Sequence, residues 1–137
     1  MKNLFKTSIN IQNLHVILLL IRVLIGSFMT VHGLQKTQLL FTGGEIQFAD
    51  PIGIGMTISL ILVLFAEIIC SGLILVGFGT RIAVIPLIIT MIVAVFVVHA
   101  NDGFAKQEMG LHYLLTYILL LVTGSGKYSV DQLISKR

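Results

Sequence analysis

Four long apolar segments limit what this chain can fold into. They cover residues 14–34, 51–76, 82–100 and 109–126, and a helix needs about 20 mostly apolar residues to cross the hydrocarbon core of a bilayer. Only 11% of the 137 residues are charged, whereas roughly a quarter are charged in a soluble domain. Too little charge remains to cover a water-facing surface, so the lipid bilayer is the expected surrounding. We therefore predict a single all-α domain that takes in the whole chain, an integral membrane four-helix bundle.

Turn-forming residues between these segments indicate where the helices end. Asp50 followed by Pro51 is typical of a helix start, because Asp caps free N–H groups and Pro fits the first helical position. Residues 77–80, Gly-Phe-Gly-Thr, indicate a glycine stop followed by a Thr N-cap, so the second and third helices should form a tight hairpin. Residues 37–49 should lie in the membrane interface or fold back over the bundle. Residues 129–137 should form a short capped amphipathic helix.

Basic residues outside the apolar segments divide unequally between the two sides of the membrane. The side with both termini carries Lys2, Lys6, Arg81, Lys127, Lys136 and Arg137, and the other side carries Lys36 and Lys106. Because short basic loops stay in the cytoplasm, we expect both termini to be cytoplasmic. The basic residues are scattered at helix ends rather than gathered in one patch, so nucleic acid is not an expected partner.

Two charged residues, Arg22 and Glu67, interrupt the first and second apolar segments. A charge near the bilayer centre costs about 2.5–3.5 kcal/mol on insertion scales, so such residues mark partners or pathways. With a rise of about 1.5 Å per residue, both lie roughly 12–15 Å from the cytoplasmic ends of consecutive antiparallel helices. We therefore expect an intramembrane Arg22–Glu67 ion pair that fixes helix packing. The alternative is a proton-coupled or anion-binding centre.

Three histidines fall near the outer membrane face in this topology. His32 ends the first helix, His99 ends the third and His112 begins the fourth, while Lys36 follows His32 by one turn. Imidazoles at one depth can ligate a metal, hold a haem between two helices, or form a hydrogen bond to a quinone carbonyl. These four residues form the candidate outer ligand site, for which we expect a quinone rather than a haem or a metal. The alternative is three independent interfacial histidines that bind nothing.

An ordered set of polar and glycine positions resembles the DoxX family from about residue 16 to residue 133. The set comprises Arg22, Gly26, Met29, His32, Gly33, Lys36, Phe41, Glu67, Gly72, Gly77, the turn 79–81, His99, Gly103, Phe104 and residues 124–131. The resemblance implies a four-helix protein of the bacterial cytoplasmic (inner) membrane. The family takes its name from a small subunit of a thiosulfate:quinone oxidoreductase, and its members are commonly called oxidoreductases. Its polar signature falls here on Arg22, His32, Lys36, Glu67, Arg81 and His99.

Cysteine content limits the chemistry that the resemblance implies. Cys70 is the single cysteine, so the chain can form neither an internal disulfide nor a Cys-x-x-Cys redox pair. The chain also has Met29 near a position where the family usually has a phenylalanine. A redox role must therefore run through a bound molecule or a partner protein, and no catalytic residue is assigned.

Together these features predict a redox-associated membrane subunit that engages a quinone or a partner oxidoreductase. Two alternatives remain open: a non-enzymatic carrier or channel for a small molecule or proton, and a scaffold that anchors soluble partners. Assembly into a homo-oligomer is left open as well.

Overall fold

The computed structural model describes residues 8–41 and 43–136, and every regular element in them is helical. Four long helices are followed by one short helix: α1 (Ile11–Phe41), α2 (Met56–Val76), α3 (Thr80–Val98), α4 (Phe104–Thr123) and α5 (Val130–Ser135). Within the described residues, α1, α2 and α3 are long and apolar enough to cross a membrane. The first turns of α4 carry Lys106 and Glu108, and its remainder is mostly apolar, with His112, Thr116 and Thr123 as polar residues. The predicted all-α membrane bundle is confirmed.

Helix ends differ from the sequence prediction at several points. Helix α1 runs on to Phe41, so part of the expected 37–49 connection is helical. Helix α4 begins at Phe104 rather than at residue 109. Helix α2 begins at Met56 rather than at Pro51, because Gly53 and Gly55 adopt positive φ angles of 70° and 102°, which a helix does not allow.

Asp50 acts within this turn rather than as the predicted cap of a helix that starts at Pro51. Its carboxylate accepts hydrogen bonds from the N–H groups of Ile54 and Gly55 at 3.0 and 2.8 Å. The Ser59 hydroxyl, from the first turn of α2, donates to the same carboxylate at 2.9 Å. Asp50 therefore closes a five-residue turn and ties it to α2, which the residue pair Asp-Pro alone did not reveal.

The bundle brings small residues to the contact between α1 and α2, and it exposes many large apolar side chains on its outside. Helix α1 lies against α2, where a Cβ atom at Gly26 would approach the Ser71 carbonyl oxygen to 3.0 Å. Glycine at this position lets the two backbones approach closely, as in other membrane helix pairs. Large apolar side chains on the outside, such as Phe28 and Leu115, are more than half exposed, which is the surface that a lipid surrounding requires.

A tight hairpin joins α2 and α3, as the glycines predicted. Gly77 ends α2 with a φ of 73°, and the N–H of Phe78 donates to the Leu73 carbonyl at 2.9 Å. The predicted Thr80 cap is wrong, however, because Gly79 precedes the helix. The Asp131 carboxylate of α5 instead accepts from the N–H groups of Gly79 and Thr80, at 2.7 and 3.3 Å. A residue far along the chain therefore caps α3.

Both middle helices contain a π-helical turn. It spans Phe65–Cys70 in α2 and Ala94–Val98 in α3. An extra residue per turn widens the helix and redirects the side chains that follow, and such turns occur often at functional sites. Both turns carry residues that border the cavities described next.

Candidate functional site: two cavities that share an ion pair

A buried ion pair joins α1 to α2. The Lys36 ammonium donates to Oε1 of Glu67. The Glu67 side chain is 2% exposed and the Lys36 side chain is 34% exposed, so one partner is enclosed and the other reaches open space. Gly33 allows this contact, because a Cβ atom there would lie 3.0 Å from the Glu67 Cβ and 2.6 Å from Ile68 Cγ1.

Two cavities meet at this ion pair. Their volumes are about 410 and 370 Å³, and both are lined by Lys36, Glu67, Met91, Ala94 and His99. The first, which we name the apolar cavity, continues between α2, α3 and the turn before α2, along Phe48, Pro51, Ile52, Leu62 and Ile89. The second, which we name the polar cavity, continues between α1, α3 and α4, along Met29, His32, Lys106, Met109, Gly110 and Tyr113.

Three of the four predicted ligand-site residues border the polar cavity, namely His32, Lys36 and His99. The His32 ring stands edge-on to the Tyr113 ring with centroids 5.9 Å apart. His99 Nδ1 lies 2.8 Å from Oδ2 of Asp102, and the Lys106 ammonium reaches the same oxygen at 3.2 Å. Hydrogen bonds from His99 and Lys106 hold the pKa of Asp102 below its usual value.

His112 does not join this group, and its inclusion in the predicted site was wrong. It is exposed, lines neither cavity, and its Nδ1 lies 2.9 Å from the carbonyl oxygen of Glu108 in its own helix. Tyr113, one residue later, takes the inward position, since consecutive helical residues are rotated by about 100°. The predicted depth of His112 in the membrane does not determine which face of α4 it occupies, and the face that lines the cavity carries Tyr113.

Arg22 lies far from Glu67, so the predicted Arg22–Glu67 ion pair is wrong. Its guanidinium donates to the carbonyl oxygens of Ser125 and Tyr128 at 2.8 and 2.7 Å. A Cβ atom at Gly77 would meet it at 1.9 Å, so Arg22 lies beside the end of α2. The first turns of α1 extend past that end and contact the 124–131 segment. Counting depth from each helix start therefore set the wrong register.

Metal ligands are not grouped in the part of the chain that the structure describes. No set of three or more His, Cys, Asp or Glu side chains there is close enough to hold a metal ion. The residues that the sequence analysis missed are aromatic. Tyr113 and Tyr117, spaced by four on α4, both face inward, and that spacing on an apolar helix was the signal available.

Comparison with known proteins places the chain in a family. The DoxX family profile matches residues 17–100, which include all the residues common to both cavities. The chain belongs to the DoxX family. An uncharacterised membrane protein of Mycobacterium tuberculosis is 33% identical over 132 residues, covering 85% of this chain and 80% of the relative.

A second relative, from Bacillus subtilis, carries the name "Putative oxidoreductase CatD". It is 34% identical over 119 residues, which cover 86% of this chain and 87% of the relative. An uncharacterised protein of Haemophilus influenzae is 35% identical over 75 residues, about half of each chain. No solved structure matches the chain at a significant level. This DoxX-family protein is thus a membrane protein with a relative that is named as an oxidoreductase.

Proposed function

We propose that this DoxX-family protein is the membrane subunit of an oxidoreductase system and that its joined cavities bind a quinone. The main support for the proposal is that the apolar cavity and the polar cavity join at Lys36. A membrane quinone has a ring with two carbonyl acceptors and an apolar tail. Lys36 offers three N–H donors at the boundary between the cavities, which is where the ring of such a molecule would meet its tail.

Access from the lipid supports the same ligand class. Ile52, Leu62 and Ile89 line the apolar cavity, and each is also more than half exposed on the outside of the bundle. The cavity therefore opens towards the surface that lipid covers. A ligand dissolved in the bilayer can enter there without crossing water.

Electrons would come from a partner protein. Cys70 is buried in the apolar core and has no second cysteine with which to cycle. The name of the Bacillus subtilis relative points to an oxidoreductase system, in which this subunit would supply the quinone site. Membership of the DoxX family favours a location in the bacterial cytoplasmic membrane, and the charge distribution favours an orientation with both termini in the cytoplasm.

The carrier alternative has less support because the bundle is closed below Glu67. Ile74, Val84, Leu87 and Leu120 are fully buried and pack in one apolar cluster between the ion pair and the end of the bundle where α5 lies, which we name the inner end after the predicted orientation. A channel or carrier needs a route to both sides, and both cavities lie towards one end. A scaffold, in turn, requires no cavity lined by a lysine and two histidines.

Quinone binding by the purified protein in detergent tests the proposal, with isothermal titration calorimetry and decylubiquinone as the probe. Lys36→Met should weaken binding about 10- to 100-fold, which corresponds to a lost charged hydrogen bond. His99→Ala should also weaken it, whereas His112→Ala is the matched control and should bind as wild type. Absence of binding in the wild type, or an equal loss in His112→Ala, would contradict the proposal.

A further inference from the structure

We propose that Glu67 exchanges a proton with the outer aqueous side as the ligand enters, and that the hydroxyls of Tyr117 and Ser71, on the inner side, accept the hydrogen bond of the protonated carboxyl group. The identity of the ligand rests on the proposed function, but the proton exchange does not. Glu67 would bind a proton when Lys36 turns to the ligand and would release it when the ion pair re-forms. No covalent bond other than the O–H bond changes.

The two oxygens of Glu67 have different surroundings. Oε1 accepts from Lys36, while Oε2 is buried without a hydrogen-bond partner in the described residues. A buried charged oxygen that lacks a partner is costly, and such groups in native structures call for an explanation. A proton on Oε2 would turn it into a donor, and it would then need an acceptor nearby.

Two buried hydroxyls offer that acceptor. Ser71 follows Glu67 on α2, and Tyr117 projects from α4; they are 1% and 0% exposed, and neither hydroxyl has a partner in the described residues. Tyr117 is close enough to feel the charge of Glu67 and the hydroxyl of Ser71. The three unpaired oxygens therefore belong to one polar group within the core, and a hydrogen bond, direct or through one buried water, can join them.

Lys36 makes the proton affinity of Glu67 depend on the ligand. Its side chain is one-third exposed and borders both cavities, so it can turn from Glu67 to a ligand carbonyl. A buried carboxylate that loses its opposite charge favours the protonated form, because burial penalises the charge. The other titratable groups around Glu67 are His32 on α1, Cys70 on α2, His99 on α3, and Tyr113 and Tyr117 on α4. None of these carries a full permanent positive charge that could replace Lys36, and Lys106, which also lines the polar cavity, places its ammonium 3.2 Å from the Asp102 carboxylate.

Protons can reach Glu67 from the outer end and not from the inner end. His99 lines the cavity beside Glu67 and also contacts Asp102, which is partly exposed at the α3–α4 turn. On the inner side, beyond the hydroxyls of Tyr117 and Ser71, the described residues Ile74, Val84, Leu87 and Leu120 are fully buried apolar side chains. The structure thus assigns the exchange to one side, which is the arrangement of a proton-loading site rather than a channel.

Calorimetry in buffers of different ionisation enthalpy measures the proton number directly. At neutral pH, binding of decylubiquinone to the wild type should take up about one proton per quinone, by linkage between ligand and proton. Glu67→Gln should take up none, and Glu108→Gln, an exposed carboxyl on α4, should behave as wild type. Quinone binding without proton uptake would overturn this inference and leave the quinone site standing.

Infrared spectroscopy tests the exchange without any quinone. In Lys36→Met, the C=O stretch of a protonated carboxyl group should be present at neutral pH, and it should vanish in Lys36→Met/Glu67→Gln. Tyr117→Phe added to Lys36→Met should shift the frequency of this band, because an acceptor of the carboxyl O–H is removed. If Lys36→Met lacks the band, Glu67 does not take up a proton, whether or not the protein binds quinone. If Tyr117→Phe leaves the band unmoved, Tyr117 does not accept the hydrogen bond of the carboxyl group; the same result with Ser71→Ala would exclude both hydroxyls.

Discussion

At the scale of single residues, Glu67 is a carboxylate enclosed by the bundle with Lys36 as its charged partner. Removing one member of a buried ion pair leaves the other uncompensated, whereas removing both can be almost neutral. We expect Lys36→Met to lower the free energy of unfolding by about 2–4 kcal/mol and Lys36→Met/Glu67→Gln to lower it by less. Chemical unfolding in detergent micelles measures both variants. Lys106→Met is the control, because it removes an exposed contact to Asp102 and should lower the free energy of unfolding only slightly. If Lys36→Met/Glu67→Gln is as unstable as the sum of the two single variants, Lys36 and Glu67 do not form a pair.

Gly33 is the second residue on which the site depends. A methyl group there would meet Ile68 Cγ1 at 2.6 Å and the Glu67 backbone carbon at 3.2 Å, so Gly33→Ala must push α1 away from α2. We expect a loss of about 1–3 kcal/mol in unfolding free energy, as for other overpacked sites, with weaker quinone binding. Gly72→Ala is the matched control, because a Cβ atom there has no described neighbour within 4 Å. Equal stability of the two variants would show that the close approach at Gly33 is not required.

At the scale of helices and turns, α5 and the segment before it join the inner ends of three long helices. Arg22 of α1 donates to the carbonyls of Ser125 and Tyr128, while Asp131 accepts from the start of α3. The N–H of Asp131 donates to the Gly77 carbonyl at 2.9 Å. The C-terminal segment is therefore part of the bundle's structure and closes its inner end.

Asp131 makes this closure sensitive to acid. Partial burial alone would raise the pKa of Asp131. Hydrogen bonds from the N–H groups of Gly79 and Thr80 outweigh this effect and hold the pKa below its usual value. A lowered folded-state pKa stabilises the fold above the unfolded value of about 4, and that contribution is lost as the pH falls through the folded value. The difference in unfolding free energy between wild type and Asp131→Asn should therefore be present at neutral pH and disappear in acid. The same measurement on Glu45→Gln is the control. If the difference in unfolding free energy between wild type and Asp131→Asn persists unchanged in acid, the Asp131 carboxylate does not have this role.

The sequence predicted elements better than it predicted their ends and register. The long apolar segments of the sequence locate the four long helices, although α4 is not apolar enough to stand as a membrane span by hydropathy alone. The glycines of residues 77–80 locate the hairpin. The start of α2 was missed because the positive φ angles of Gly53 and Gly55 outweigh the local preference of Asp-Pro for a helix start. The sequence did not reveal the partner of Glu67, because the pairing depends on the register of α1 against α2. That register depends on how far α1 extends past the end of α2, and no local sequence pattern in either helix indicates this. His32, Lys36 and His99 could be predicted as site residues from their depth in the membrane. Tyr117 and Ser71 could not, because their place in the site depends on contacts between helices.

At the scale of the whole molecule, the two ends of the bundle differ in both charge and packing. The inner end holds Arg81, Lys127 and Lys136 and is closed by α5. The opposite end holds both cavities, and Lys36 and Lys106 there are accompanied by Glu45, Asp50, Asp102 and Glu108. Three further residues of the charge count, Lys2, Lys6 and Arg137, lie outside the described residues. The charge distribution predicts that the closed end faces the cytoplasm and the cavities open towards the outer side.

Cysteine labelling in intact cells tests this orientation and the crossing of α4 together. In a Cys70→Ala background, Glu45→Cys should react with a membrane-impermeant maleimide from outside, and Lys127→Cys should react only after permeabilisation. Three helices, α2, α3 and α4, separate these two exposed positions, so the positions lie on opposite sides only if an odd number of those helices cross. Within the described residues, α4 is long enough to cross the membrane, but of the three helices it is the one that is not apolar enough to be identified as a span by hydropathy. Labelling of both positions from one side would show that α4 does not cross, whereas labelling with the two sides exchanged would keep the four-helix bundle and place the cavities in the cytoplasmic half of the membrane.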